Sequence, residues 1–191
     1  MQRNKANNQT TKEMQGETPE LILLIDHKGS MVAFKRLAQA LIDSAEKAGI
    51  NVHRYYFRNV PQRYNDADAL LYVYADMGEI NHRPLRDILN ESPNAAVLII
   101  SDAGTASGSY SMPRIQATEY FLREVYEHTH KVAWLNPMPE NRWDGSSAYI
   151  IRELCDMFEA TPDGLQKTMP ILNGKQQPKS PIVFPELLNK L

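Results

Sequence analysis

Two aspartates in this chain each close a run of apolar residues. Asp26 follows Leu21-Ile-Leu-Leu-Ile25, and Asp102 follows Ala95-Ala-Val-Leu-Ile-Ile100 and Ser101. Carboxylates brought face to face repel, so one must take up a proton or a cation must lie between them. Asp26, Ser30 and Asp102 are all hard oxygen donors of the kind Mg2+ uses. A second reading gives both acids a purely structural task, capping helix N-termini where negative charge is favourable. His27 adjoins the first acid, as a ligand or as a solvated loop side chain. Other chemistry is poorly supplied. His128 and His130 have no companion ligands that would make a zinc site. Ser107, Ser109 and Ser111 have no histidine–acid set at a recognisable spacing, so they suggest no nucleophile. No Gly-x-x-x-x-Gly-Lys phosphate loop occurs.

The flanking elements decide whether the two acids meet. Unbroken apolar runs suit strands buried on both faces, as in a parallel sheet covered by helices. After Leu21–Ile25, residues Phe34, Leu37, Ala38, Leu41, Ile42 and Ala45 recur at helical spacing, with Gly49 placed to end the helix. Ile50–Phe57 reads as a strand and Ala69–Ala75 as a third, antiparallel to it at a sheet edge because the gap between them is short. A short helix over Pro84–Leu89 leads to the strand Ala95–Ile100. Pro113 opens a helix carrying Ile115, Phe121, Leu122 and Val125. Lys131–Leu135 is a further strand. Ser146 or Ser147 caps a helix predicted to carry Ile150, Ile151, Leu154, Cys155 and Phe158. Thr161-Pro162-Asp163 opens the last helix. Strands and helices alternate, which predicts a doubly wound α/β fold with a mostly parallel sheet and one antiparallel edge strand. The two wholly apolar strands should lie centrally and side by side. Asp26 and Asp102 would then share the crevice at their carboxyl ends, where open α/β sheets bind ligands.

The 191 residues suit one domain. Polar residues 1–19 read as an N-terminal arm, 20–173 as the folded domain, and 174–191 as a C-terminal extension. The extension's apolar stretch, Ile182–Leu188, could dock on the domain or on a partner. A net charge of −2 gives no reason to expect nucleic acid. No run approaches the ~18 apolar residues of a membrane span, and the polar N-terminus lacks the apolar core of a signal peptide. The single cysteine, Cys155, excludes an internal disulfide and fits a reducing, cytoplasmic compartment.

Asp26-x-x-Gly29-Ser30-Met31 before an amphipathic helix resembles the first metal-site motif of von Willebrand factor A domains, Asp-x-Ser-x-Ser. Ser101-Asp102-Ala103-Gly104 resembles their later Ser-Asp-Gly motif. Lys131-Val-Ala-Trp-Leu-Asn-Pro137 is similar to the Trp-Leu-Asn-Pro strand of the bacterial CoxE-like branch, and Arg142-Trp143-x-Gly145-x-Ser147 and Asp156-Met-Phe158 fit that branch too. The resemblance covers roughly residues 21–172. It implies a Rossmann-like sheet and a metal-ion-dependent adhesion site, at which bound Mg2+ takes an acidic side chain from a protein partner. It also implies work beside MoxR-type AAA+ ATPases in bacterial multi-protein systems.

The departures are specific. Lys28 stands where the motif has its first serine, and the family's middle threonine has no clear match. The corresponding region reads Met77-Gly78-Glu79-Ile80-Asn81-His82, with Asn81 as an alternative oxygen donor. Two expectations stay open. Either the Lys28 ammonium lies between Asp26 and Asp102 as a tethered cation, leaving a degenerate site, or Lys28 faces solvent and Mg2+ binds through Asp26, Ser30, Asp102 and waters. In both, a non-catalytic adaptor would meet its partner through His27, Lys28, Thr105, Asn136, Arg142 and Trp143, with packing under its loop as the equal alternative for Trp143. The rival classes are a Mg2+-dependent hydrolase or phosphotransfer enzyme using Asp26 and Asp102, and a purely structural subunit. Lys28, where such phosphatases usually carry a second acid, counts against the enzyme.

Overall fold

The computed structural model describes residues 18–63 and 70–176. The arm to residue 17, the start of the expected third strand at Ala69 and the stretch Ile182–Leu188 lie outside them. Strand β1 (Glu20–Asp26) pairs in parallel with β2 (Asn51–Phe57) on one side and β6 (Ala96–Ile100) on the other. β7 (Val132–Asn136) and β8 (Met157–Glu159) continue the parallel sheet. At the opposite edge β4 (Leu71–Tyr74) runs antiparallel to β2, and the short strands β3 (Gln62–Arg63) and β5 (His82–Pro84) pair with it. The antiparallel edge is therefore broader than the single strand expected.

Burial follows the pleat of β1. Ile22 and Leu24 point into one core with Leu85, Ile88 and Leu89 of α2 (Leu85–Glu91), Phe121 and Val125 of α3 (Met112–Tyr126), and Ile150 and Ile151 of α4 (Ser147–Ile151). Leu21, Leu23 and Ile25 point the other way, to Ala38 and Ile42 of α1 (Lys35–Lys47) and Ile171 of α5 (Pro162–Leu172). The structure is thus a doubly wound, Rossmann-like α/β fold. The alternating Val, Leu and Ile side chains of β1 and β6 serve two cores at once, which is why these strands read as unbroken apolar runs.

Two sequence expectations need correction. The fourth helix stops at Ile151; Arg152–Leu154 form a turn and Phe158 lies on β8. Cys155 is buried as expected, but in the bend before β8 rather than on a helix. Before α1, residues Gly29–Phe34 form a 3-10 helix, so the α-helix starts at Lys35 rather than taking in Phe34.

Candidate functional site

The two acids meet. β1 and β6 are adjacent and in register, Ile25 opposite Ile100, so both chains leave the sheet at the same level. Asp26 and Asp102 are each 3 % exposed. Ser30, from the turn after β1, donates its hydroxyl to Asp102 Oδ2 at 2.7 Å. Ser101 Oγ donates to Asp26 Oδ2 at 3.0 Å. Residues 72 and 75 apart in the chain are thereby tied across two strands.

Each carboxylate is held by its own backbone donors. Asp102 Oδ1 accepts from Gly104 N at 2.9 Å and Oδ2 from Ala106 N at 3.2 Å, so Asp102 ties together the loop that carries the 3-10 turn Thr105–Ser107. That turn needs two left-handed residues, Ala103 (φ 52°) and Gly104 (φ 83°). A Cβ on Gly104 would press on the Arg114 side chain, so glycine answers both demands. Asp26 caps no helix. Its Oδ1 accepts from Asn59 N at 3.2 Å. Asn59 (φ 61°) lies where the chain bulges between β2 and β3, both of which pair with β4. Arg114 donates to Asn59 Oδ1 at 3.2 Å and so braces the bulge from α3. Neither acid caps an α-helix: Asp102 holds the loop after β6, and Asp26 holds the bulge after β2. Burial above all pushes the Asp26 carboxyl above its ordinary value of 3.8. The hydrogen bonds from Asn59, Ser101 and the Lys28 backbone oppose this, and the Asp102 carboxylate adds to it.

Lys28 does not lie between the acids. Its ammonium sits 3.5 Å from Glu79 Oε1. Arg58 donates to both Glu79 oxygens, at 2.8 and 3.1 Å, and His27 Nε2 is 3.2 Å from Oε1. Because the Phe57 carbonyl can only accept, His27 Nδ1 carries the proton of its 2.8 Å bond to that oxygen. Three side chains that can be cationic thus gather on one carboxylate. Burial favours the protonated form of Glu79, but the hydrogen bond and charge of Arg58, then Lys28 and His27, hold its pKa below 4.5. Glu79 itself has φ 60° in the turn between β4 and β5.

The remaining expected residues separate into buried and exposed. Asn136 is fully buried; its Nδ2 donates to the Asp102 carbonyl and to Thr105 Oγ1, both at 3.1 Å. Thr105 Oγ1 in turn donates to the Asp102 carbonyl at 2.6 Å. Trp143, 1 % exposed, donates from Nε1 to the Met138 carbonyl at 2.9 Å. His27 is also buried. These four are buried and shape the site from below, and of the six residues expected to meet a partner Lys28 and Arg142 are the ones that reach solvent. Asn81 is taken up by Asp76, to which its backbone and side-chain N–H groups both donate. Sequence reasoning missed the roles of Glu79, Arg58, Asn59 and Arg114. Glu79, Arg58 and Asn59 sit in turn-like polar stretches with no periodic signal and are brought in by the sheet pairing, and Arg114 lies on the expected helix α3 but its target, Asn59, does not show in the sequence.

The donor set fits Mg2+ in kind. Asp26, Asp102 and Ser30 offer oxygen ligands, and a cation would answer the mutual repulsion of the carboxylates. Among the described residues no cluster of three or more His, Cys, Asp or Glu is poised for metal, so water or an incoming carboxylate would have to supply most of the coordination. No protein-family model matches the chain, and no curated protein matches it. Among the described residues no helix is long and apolar enough to cross a membrane. The fold and site define an open α/β protein with a carboxylate pair at the carboxyl ends of its two central strands.

Proposed function

We propose that this end of the sheet is a protein-binding face built like a von Willebrand factor A adhesion site, and that the chain is a non-catalytic adaptor. The observation that carries the reading is the convergence of Asp26, Ser30 and Asp102 at the ends of two adjacent strands. The surroundings support it. Of the six large apolar side chains exposed among the described residues, Val32, Tyr110 and Met112 lie on the segments that follow β1 and β6, and Met77 lines the cavity beside Asp26. Exposed apolar side chains grouped around a polar centre are a mark of interaction sites. A cavity of about 250 Å3 lined by Asp26, His27, Met31, Phe34, Tyr56 and Met77 opens beside the acids.

In this reading a Mg2+ ion, held by Asp26, Asp102 and Ser30, would supply an attachment point for a partner's acidic side chain. Ser101, Asn59 and the N–H groups of Gly104 and Ala106 orient the two carboxylates. Asn136 and Thr105 hold the Asp102 backbone, and the apolar rim supplies the rest of the contact. A MoxR-type AAA+ ATPase is the partner class that the resemblance suggests. A reducing cytoplasmic setting belongs to the same proposal, in keeping with the buried free thiol of Cys155. Catalysis is disfavoured because Lys28 stands where Mg2+-dependent phosphatases of this kind usually carry a second acid.

Calorimetric titration of the purified chain with MgCl2 and MnCl2, beside Asp102→Ala, tests the reading. Saturable binding lost in the variant is the expected result. Absence of binding to the wild type sinks the metal site, and Mg2+-dependent turnover of a generic phosphoester sinks the non-catalytic adaptor.

A further inference from the structure

The cavity beside Asp26 has a chemical preference of its own. Apart from Asp26 and His27, its buried lining is apolar: Ile25 of β1, Met31 of the 3-10 helix, and Ala38 and Ile42 of α1. Half-buried Phe34 and Tyr56 continue this lining outward, together with Met77, which is 50 % exposed. An apolar cavity of roughly 150 Å3 already holds benzene. The cavity here encloses about 250 Å3, so it admits one phenyl ring or branched aliphatic side chain.

The outer lining is basic. Lys35 and Arg36, both exposed, open α1 at the edge of the cavity. A helix start carries positive partial charge and favours acids. Here the first turn of α1 has no acid, and no side chain caps α1 or the 3-10 helix before it. From Gly29 to Lys47 the first acid is Asp43, and it accepts from Gln39 at 2.7 Å. Among the described residues neither Lys35 nor Arg36 is paired with an acid. Two uncompensated cations at the positive end of a helix are a local cost, and such costs gather where a molecule meets its ligands. The complement of this edge is an anion.

We infer that the cavity receives a large apolar side chain from an acidic segment of a protein partner, with a neighbouring carboxylate of that segment set against Lys35 and Arg36. Charge selects this occupant, because a neutral or basic segment would leave both cations uncompensated. The inference rests on the reading of this end of the sheet as a protein-binding face, but it needs no metal. It adds a second contact beside the one at Asp26, Ser30 and Asp102.

Titration of the full chain, carrying 13C-methyl methionine, with 3-phenylpropionate in EDTA tests it by NMR. The expected result is saturable shifts of the Met31 and Met77 methyl resonances, in the millimolar range of so small a ligand. 3-Phenylpropanol keeps only the ring and acetate only the carboxylate, and both should bind several-fold more weakly. Lys35→Glu combined with Arg36→Glu should weaken binding of 3-phenylpropionate about tenfold while raising Tm, because acids suit a helix start. A variant that gains stability as it loses binding has not simply unfolded. Absence of saturable shifts at Met31 and Met77 overturns the inference, as does equal affinity for 3-phenylpropanol or undiminished binding to the variant. So does a response at Met169 alone, which would put the probe in the separate groove between α1 and α5. The calorimetric Mg2+ titration is scored apart. Its failure sinks the metal site and leaves this contact standing, whereas failure here with Mg2+ still bound sinks this contact alone.

Discussion

Asp26 and Glu79 sit at the same end of the sheet and titrate with opposite consequences. The Asp26 pKa is raised, chiefly by burial, so the fold favours its protonated form. Its contribution to stability is fullest below the unfolded value of 3.8 and is lost as pH rises through the folded value. The Glu79 pKa is lowered by Arg58, Lys28 and His27 against the effect of burial. Its contribution is present above 4.5 and is lost as pH falls through the folded value. Asp26→Asn keeps an acceptor for the Asn59 N–H, and the Ser101 hydroxyl can turn to accept from the new amide. The expected outcome of denaturant unfolding between pH 3 and 7 is therefore twofold. Asp26→Asn should gain on the wild type as pH rises from about 4, and Glu79→Gln should lose its deficit against the wild type as pH falls. Parallel curves for wild type and both variants would contradict the assignment. The pairing also explains why the expected position of Lys28 did not hold. The sequence puts Asp26 and Asp102 at the ends of two adjacent strands beside Lys28, whereas Glu79 falls in an aperiodic polar stretch and meets Lys28 only because β4 pairs back onto β2.

At the level of elements, long apolar runs were legible because they serve two cores, and short edge pieces were not. β3 and β5 have two and three residues, too few for any period to show. β8 was obscured differently. Ile150, Ile151, Leu154, Cys155 and Phe158 keep helical spacing across a turn, although the first four bury in one core and Phe158 packs against the other, on the opposite face of the sheet. What fixes β8 is α5, which returns across it. Thr161 caps α5 by accepting from Gly164 N at 3.1 Å, and the first turn passes so close to β8 that a Cβ on Gly164 would overlap the Glu159 carbonyl oxygen. Backbone rather than a flexible side chain stands in the way, so relief requires moving the helix. Gly164→Ala should destabilise the fold by about 2–3 kcal/mol through overpacking, despite the better helix propensity of alanine. Chemical denaturation measures this directly. A stabilised variant would mean that α5 does not hold β8 at this distance. The Asp102 face should feel the shift as well, because Asn136, which donates to the Asp102 carbonyl and to Thr105, is paired with Glu159 of β8.

The whole molecule divides its labour along the strand axis, and the division has a dynamic consequence. β1 and β6 are flanked by strands on both sides and sealed by helices on both faces. Their amides should exchange with solvent only when the whole domain unfolds. β3 and β5 hang on β4 through two and three residue pairs, so the Glu79 turn between β4 and β5 is carried on the least secured edge of the sheet. That edge supplies Met77, Ile80 and Glu79, whereas Asp26 and Asp102 stand on its most secured strands. Hydrogen exchange read by mass spectrometry should therefore show the slowest amides in residues 21–25 and 96–100, and exchange of 76–84 several kcal/mol easier than global unfolding. In Glu79→Ala, which releases Lys28, Arg58 and His27 together, exchange over 76–84 should quicken while 21–25 and 96–100 stay near the wild-type rate. Faster exchange at all three would mean that the cation cluster secures the sheet itself. Change confined to 76–84 would leave a rigid acid pair beside a rim that moves without it. Such an arrangement lets a face fit its apolar loops to a partner while the oxygen ligands at its centre keep their positions.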